Sequence, residues 1–260
     1  MSCPLCGGAQ AAWHHYTSPP PGETAFDLPD YDRTLLRCGV CGHMVSNVRL
    51  DDLYSGAYMD ATYAGDALAA TYERVMALPP ERSDNTARVA RVVAAAGPSG
   101  RALDVGAGLG VFPSRLRDAG WEVVALDPDP RAVEHLRERV GVEAIQGDFM
   151  TAEVGAFDLV TFNKVLEHVE DPVAMLARAT APLVYVELPD AEGAGADSPD
   201  REEFFIEHLH VFSMASLCLL ATRAGFAVRS AERLREPSGK YTLIAFLTQV
   251  PAPFGRSRTQ

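Results

Sequence analysis

The sequence predicts an α/β fold in which a doubly wound parallel sheet follows a small N-terminal module built on four cysteines. Three observations carry this. From Gly100 onward, short apolar runs alternate with helical segments, the pattern of parallel strands joined by crossover helices. The first such run ends in an acid followed by alternating glycines, Leu103-Asp104-Val105-Gly106-Ala107-Gly108-Leu109-Gly110, as in a ligand-binding turn between strand and helix. Four of the five cysteines stand in two pairs near the N-terminus. At 260 residues and 47% hydrophobic, the chain is long enough for one full core and a small appendage.

Residues 1–50 form the first segment. Cys3-Pro4-Leu5-Cys6 and Cys38-Gly39-Val40-Cys41 are two C-x-x-C knuckles, each followed by a glycine that lets the backbone turn both thiolates toward one ion. Together they predict a structural zinc ribbon, closed by four thiolates and lacking the open position a catalytic zinc keeps. A disulfide framework is the weaker reading, because intracellular thiols are reduced. Pro19-Pro20-Pro21-Gly22 marks a loop inserted between the knuckles, and His14, His15 and His43 read as loop residues. So short a segment has little core, and the ion supplies much of its folding free energy.

Residues 51–98 read as a helical cover and connector. Tyr54, Tyr58, Tyr63 and Tyr72 stand among small residues, a composition suited to a mobile cover, with plain core packing as the alternative. Ser83 or Asp84 caps a helix through Ala96, whose apolar face is Val89, Val92 and Val93 and whose stop is Gly97-Pro98. Residues 99–250 carry the sheet. Strands are expected at Ala102 to Val105, Glu122 to Leu126, Glu143 to Gln146, Leu159 to Phe162, Leu183 to Leu188, Ala227 to Ser230 and Tyr241 to Thr248. Helices start at Asp129-Pro130, Asp171-Pro172 and Ser213, and Gly225 ends the last of them. Residues 191–200, rich in small and acidic types, read as a flexible loop, either a substrate lid or a plain connection. Residues 251–260 are a frayed tail.

Ligands of such sheets lie beyond the carboxyl ends of the strands. Asp104 stands at the mouth of the glycine turn, and Val111 occupies the place where a dinucleotide fingerprint has its third glycine. A carboxylate there repels pyrophosphate and attracts an ammonium, which points to S-adenosylmethionine as cofactor. Asp127, followed by Pro128, ends the second strand and suits a ribose; Asp148-Phe149 follows the third and suits adenine. Asn163 ends the fourth strand, and Glu187 lies near the end of the fifth.

The net charge of −12 disfavours a phosphate-tracking surface, and residues 1–50 hold only Arg33, Arg37 and Arg49 as basic side chains. Nucleic acid is therefore not an expected partner. The chain shows neither a secretory leader nor an apolar run of about 18 residues, so a cytoplasmic protein without membrane contact is expected.

From Arg101 to Leu247 these residues together resemble the class I S-adenosylmethionine-dependent methyltransferases. The resemblance implies a Rossmann-like methyltransferase sheet in which Asp104, Gly106, Gly108 and Gly110 form the cofactor loop. It places Asp127 on the ribose, Asp148 and Phe149 on adenine, and Asn163 beneath the methionine end, with Tyr54, Tyr58 and Tyr63 as the cover. The ribbon, combined with Glu207-His208-Leu209-His210, is similar to the zinc-ribbon methyltransferases that include sugar C-methyltransferases of antibiotic biosynthesis, although this chain lacks their C-terminal domain. That likeness implies a small-molecule acceptor, a keto-sugar or another hydroxylated intermediate, with Glu207-His208 serving proton transfer and Tyr63 assisting. His208 or His210 suits a neutral base near pH 7, oriented by Glu207; the acceptor atom, oxygen or carbon, stays open. Glu167-His168 is a second Glu-His pair after a strand. Where some relatives hold a divalent metal through E-x-x-E-H, Lys164 replaces the first acid. A macromolecular methyltransferase gripping through the ribbon and a non-catalytic cofactor-binding protein are the rival readings.

Overall fold

The computed structural model describes residues 1–24, 26, 31–48 and 67–250. Tyr54, Tyr58 and Tyr63 and the 251–260 tail lie outside the described residues.

A seven-stranded sheet forms the centre. Its strands are β4 (Arg101–Val105), β5 (Glu122–Asp127), β6 (Glu143–Gln146), β7 (Leu159–Asn163), β8 (Leu183–Pro189), β10 (Phe226–Arg235) and β11 (Tyr241–Gln249). Their order is β10-β11-β8-β7-β4-β5-β6. β4 to β8 are parallel, whereas β11 runs against both β8 and β10, so the sheet is mixed where a wholly parallel one was expected. A hairpin of residues 236–240 is too short for a parallel crossover, and reversal at β11 follows.

Alternate residues of each strand enter opposite layers. Leu103, Val124, Val160 and Val184 face one cluster with Leu176, Leu217 and Leu220. Ala102, Val123, Leu159 and Tyr185 face another with Val92, Leu116 and Leu136. The second layer holds α2 (Asp84–Ala96), α3 (Val111–Asp118) and α4 (Pro130–His135); the first holds α5 (Pro172–Ala177) and α7 (Met214–Arg223). Ser83, Asp129, Asp171 and Ser213 each accept a backbone N–H at their helix start, and at Ser213 the cap is reciprocal with Ser216. α1 (Ala67–Met76) lays Leu68 against Ala132 and Leu109, and Tyr72 donates to Ser114 Oγ at 3.0 Å.

The N-terminal segment contributes β1 (Gln10–Tyr16), β2 (Arg33–Cys38) and β3 (Met44–Ser46) to a second sheet of order β1-β2-β3-β9. Its fourth strand, β9 (His210–Val211), comes from far along the chain. The histidines expected in loops divide: His14 and His15 lie in β1, and His43 is completely buried ahead of β3.

Residues 191–197 correct the flexible-loop expectation. They form α6 (Ala191–Asp197), capped by Asp190, whose side chain accepts from Glu192 N. Their small side chains serve close approach: a Cβ at Gly193 would stand 2.7 Å from Tyr241, and one at Gly195 would stand 3.3 Å from Trp13. This stretch is a packed helix, not a lid.

Candidate active site

Where the strand order turns back, on either side of β4, an open α/β sheet leaves a crevice at the carboxyl ends of its strands. The glycine turn fills that place. Gly106 N and Ala107 N both donate to Leu126 O, at 2.8 and 3.2 Å, fastening the turn to β5. Gly106 and Gly110 have φ of 66° and 75°, and a Cβ would meet Val165 at 2.8 Å and Val140 at 2.7 Å respectively. No other residue type fits either position without displacing a neighbour. Val111, the departure from the dinucleotide pattern, is buried as the first residue of α3.

The acids expected around this turn are there, with distinct local duties. Asp104 is 2% exposed, and its Oδ1 accepts from Thr161 Oγ1 at 2.6 Å and Asn163 Nδ2 at 2.7 Å. Burial pushes its carboxyl up to about 7, against the lowering by those two donors and by the charge of Arg88. Asp127 accepts from Gly108 N through Oδ2 at 2.8 Å and from Asp129 N through Oδ1 at 2.9 Å. It therefore shapes the glycine turn as well as standing beside it, and burial raises its carboxyl in spite of those two bonds. Pro128 is exposed next to it, and Asp129 caps α4. Asp148 is exposed and accepts from Met150 N at 2.9 Å. Phe149 turns inward, 3% exposed, with its ring edge-on to Phe162 at 5.5 Å, so most of its aromatic surface is spent in the core.

Glu187 departs most from its expectation. Sequence alone grouped it with the strand-end acids. In the fold it is fully buried, bonded to Arg88 at 2.5 Å, to Tyr185 Oη at 2.5 Å and to Arg91 at 3.3 Å. Burial pushes it up, but the charge and hydrogen bond of Arg88 outweigh that and hold it at about 2. Arg88 is the residue sequence reasoning missed. It reads as a polar position of an amphipathic helix, and only the tertiary fold shows that it is buried against the Glu187 carboxylate of β8.

The late loop brings the two Glu-His pairs together. His168 Nδ1 lies 2.9 Å from Glu207 O, and His208 Nδ1 lies 2.9 Å from Glu203 O. A carbonyl only accepts, so each Nδ1 carries the proton and each Nε2 carries the lone pair. The rings stand 4.9 Å apart, and one nitrogen of each and a Glu167 carboxylate oxygen lie within 4.8 Å of one another. Glu167 is fully buried, neither oxygen has a hydrogen-bond partner among the described residues, and burial pushes it up to about 7. Half-buried Lys164, the one described non-glycine residue with positive φ, donates its ammonium to Thr242 Oγ1 at 2.9 Å, and with Lys240 it sets positive charge near Glu167. Burial also drives His208 well below its ordinary value, leaving a neutral imidazole. The Glu203 carbonyl fixes the tautomer and so presents Nε2 as the acceptor, while the same burial weakens the ring as a base.

Two catalytic expectations change. Among the described residues, no hydrogen bond joins Glu207 to His208; a backbone carbonyl orients His208, while Glu207 offers its own carbonyl to His168. His210 is buried in the second sheet, where Nδ1 is bonded to His43 Nε2 at 3.1 Å, while its backbone N donates to Glu167 O at 3.0 Å. Tyr63 lies outside the described residues.

The four cysteines converge. Cys3 Sγ and Cys41 Sγ are 3.6 Å apart, Cys6 Sγ and Cys38 Sγ are 3.4 Å apart, and all four sulfurs lie within 4.8 Å of one another. Zn–S bonds of about 2.3 Å put tetrahedral thiolates about 3.8 Å apart, so the donor set fits such an ion in kind and size. Gly8 N and Val40 N point at Cys6 and Cys38 sulfurs, each at 3.4 Å, as donors that favour thiolates.

Comparison with known proteins agrees with this geometry. A family model described as a methyltransferase domain matches residues 78–231, more than half of the chain. In sequence the chain is similar to the ubiquinone biosynthesis O-methyltransferase of Xanthomonas campestris pv. campestris, 38% identical over 116 residues, which are 42% of this chain and 46% of that protein. The chain thus spans about half the length of the curated relatives it matches. In fold it is similar to magnesium protoporphyrin IX methyltransferase of Synechocystis PCC 6803, solved with S-adenosylhomocysteine, at TM-score 0.56 and 16% identity over 77% of this chain and 100% of that one. It is likewise similar to the 1,6-didemethyltoxoflavin-N1-methyltransferase of Burkholderia thailandensis, at TM-score 0.57 and 18% identity over 90% of this chain and 100% of that one. With the glycine turn at the strand reversal and more than half of its length matched, the chain belongs to the methyltransferase-domain family.

Proposed function

We propose that this protein transfers the methyl group of S-adenosylmethionine to a small hydroxylated or keto molecule, with His208 as the proton acceptor. The observation that carries the reading is the pair of buried carboxylates, Asp104 and Asp127, on either side of the glycine-rich turn at the strand reversal. That donor set fits the cofactor. In this reading Asp127 takes the ribose and Asp104 the ammonium of the methionine moiety. Asn163 is tied to Asp104 and lies at the same strand ends. When bound, the cofactor supplies a sulfonium-activated methyl for in-line displacement.

The residues of this chain then have two tasks, alignment and removal of a proton. His208 Nε2 takes the proton of a hydroxyl acceptor, or of a carbon beside a ketone, and Glu167 and Lys164 set the charge around it. The sequence likeness to an O-methyltransferase favours oxygen as the acceptor atom. A structural zinc ion on Cys3, Cys6, Cys38 and Cys41 completes the assignment. The test is formation of S-adenosylhomocysteine by the purified full chain with a panel of catechols, hydroxylated acids and keto-sugars. Turnover with one class, lost in His208→Ala and retained in His210→Phe, supports the reading. Turnover unaffected by His208→Ala removes the base assignment.

A further inference from the structure

The stretch that presents His208 makes little structure of its own: one 3-10 turn, Glu202–Phe204, and the two residues of β9. A loop this poor in internal bonds is ordinarily mobile. Its backbone is held on one side by the central domain, where His210 N donates to Glu167 O at 3.0 Å and Phe212 N to Pro189 O at 3.1 Å, and on the other by the N-terminal segment. Phe204 O accepts from Arg33 Nη1 at 2.7 Å, and Ile206 N donates to Glu23 Oε1 at 2.7 Å. On the other side of His208, Leu209 O accepts from Ser46 N at 3.0 Å, His210 pairs with Val45, and the His210 ring meets His43. Ser213 Oγ donates to Cys41 O. Arg33 and His43 are completely buried, and Arg33 also lies over the Tyr16 ring at 4.2 Å. The second knuckle reaches this clamp directly, because Cys38 N donates to His43 O at 2.9 Å and Gly42 N to Cys38 O at 3.0 Å.

Resting on the methyl-transfer reading above, we infer that the four-cysteine ribbon is a positioning device for the proton-transfer imidazoles. Glu23, Arg33, His43 and Ser46 are positioning residues: they fix the 203–213 loop, and that loop supplies the two carbonyls, of Glu203 and Glu207, that set the tautomers of His208 and His168. Arg33, one of the few cations of the segment, is therefore consumed inside the protein and does not serve a macromolecular grip. Ligation of the thiolates is transmitted to the acid–base loop through Cys38, His43 and Cys41. The glycine turn is fastened separately, to Leu126 O and Asp127 of the central sheet. Loss of the ion thus uncouples the imidazoles while cofactor binding persists.

The experiment compares zinc-loaded and chelator-stripped full-length protein carrying 15N-labelled histidine. The tautomers of His168 and His208 are read by NMR, and S-adenosylhomocysteine affinity is read by calorimetry. In the loaded protein both rings show a neutral Nδ1–H tautomer; stripping converts both to averaged tautomers. The affinity stays within about twofold, as for sites that share no partners. Unchanged tautomers overturn the inference, as does an affinity that collapses together with them. If stripping unfolds the chain, Glu23→Ala decides, since it removes the oxygen that accepts from Ile206 N and leaves the cysteines in place. Averaged tautomers with zinc content retained support the inference, and an intact Nδ1–H signature overturns it. Absence of any binding by the loaded protein strikes the methyl-transfer reading instead and leaves the tautomer outcome standing by itself.

Discussion

Replacing Asp104 by Asn should make the unliganded protein more stable and its cofactor binding weaker. Asp104 is 2% exposed, and burial holds its carboxyl at about 7 in the fold against an ordinary 3.8. A carboxyl raised in this way contributes stability that is complete below about 3.8 and is lost as the pH rises through about 7. The gap between the two values corresponds to on the order of 4 kcal/mol of destabilisation fully developed above pH 7. Asparagine keeps an oxygen for Thr161 and Asn163 and removes the charge. Urea denaturation of both proteins should give a stability difference in favour of Asp104→Asn that grows from near zero at pH 4 to a few kcal/mol at pH 8. In the wild type, affinity for S-adenosylhomocysteine should rise between pH 6 and pH 7.5 as the carboxylate forms to meet the ammonium. The variant should bind about 10- to 150-fold more weakly at pH 8, the equivalent of a charged hydrogen bond of about 1.5 to 3 kcal/mol, without that pH dependence. A variant that is no more stable at pH 8 than the wild type, with equal affinity, would refute the assignment of a buried, ligand-directed charge.

Arg88→Met should strand the Glu187 carboxylate and lower stability by about 3 to 5 kcal/mol, seen as a fall in Tm. The contribution of that pair is present above about pH 4.5 and fades as the pH falls toward about 2, so acid unfolding of the variant should start at a higher pH. Gly110→Ala should cost more stability than Gly108→Ala by urea denaturation: both have positive φ, but only at Gly110 does the new Cβ meet side chains, Val140 at 2.7 Å and Leu136 at 2.8 Å. Elemental analysis of reduced protein should find about one zinc per chain; absence of metal would contradict the ribbon assignment.

Much of this fold is legible because local signals and tertiary outcome agree. Ser83, Asp129, Asp171 and Ser213 cap the helices they appear to cap, since a short acceptor before an apolar periodic run has few other uses. The strands β4, β5, β7 and β8 read as largely apolar runs because both of their faces are covered. β10 was expected only as far as Ser230 but continues to Arg235, since an edge strand with one wet side reads as polar. α6 was hidden by its glycines, which lower helix propensity but permit contact with Tyr241 and Trp13. At the candidate site, residue types at strand ends point to Asp104, Asp127 and Asn163, which the fold ties to one another or to the glycine turn. They do not distinguish Asp127, which faces the turn, from Glu187, which a helix cation neutralises out of sight. Nor does any local pattern announce β9, a two-residue pairing between His210–Val211 and Met44–Val45 across most of the chain. That pairing fixes His208 through a carbonyl and leaves Glu207 to serve His168.

The central claim is a methyl donor held by Asp104 and Asp127 over the glycine turn. Calorimetric titration of the full chain with S-adenosylhomocysteine, beside a titration with NADH, tests it most directly. One saturable site for the former, weakened by Asp127→Asn, and no heat from the latter are the outcomes predicted here. Saturable binding of NADH with no response to S-adenosylhomocysteine would contradict the account.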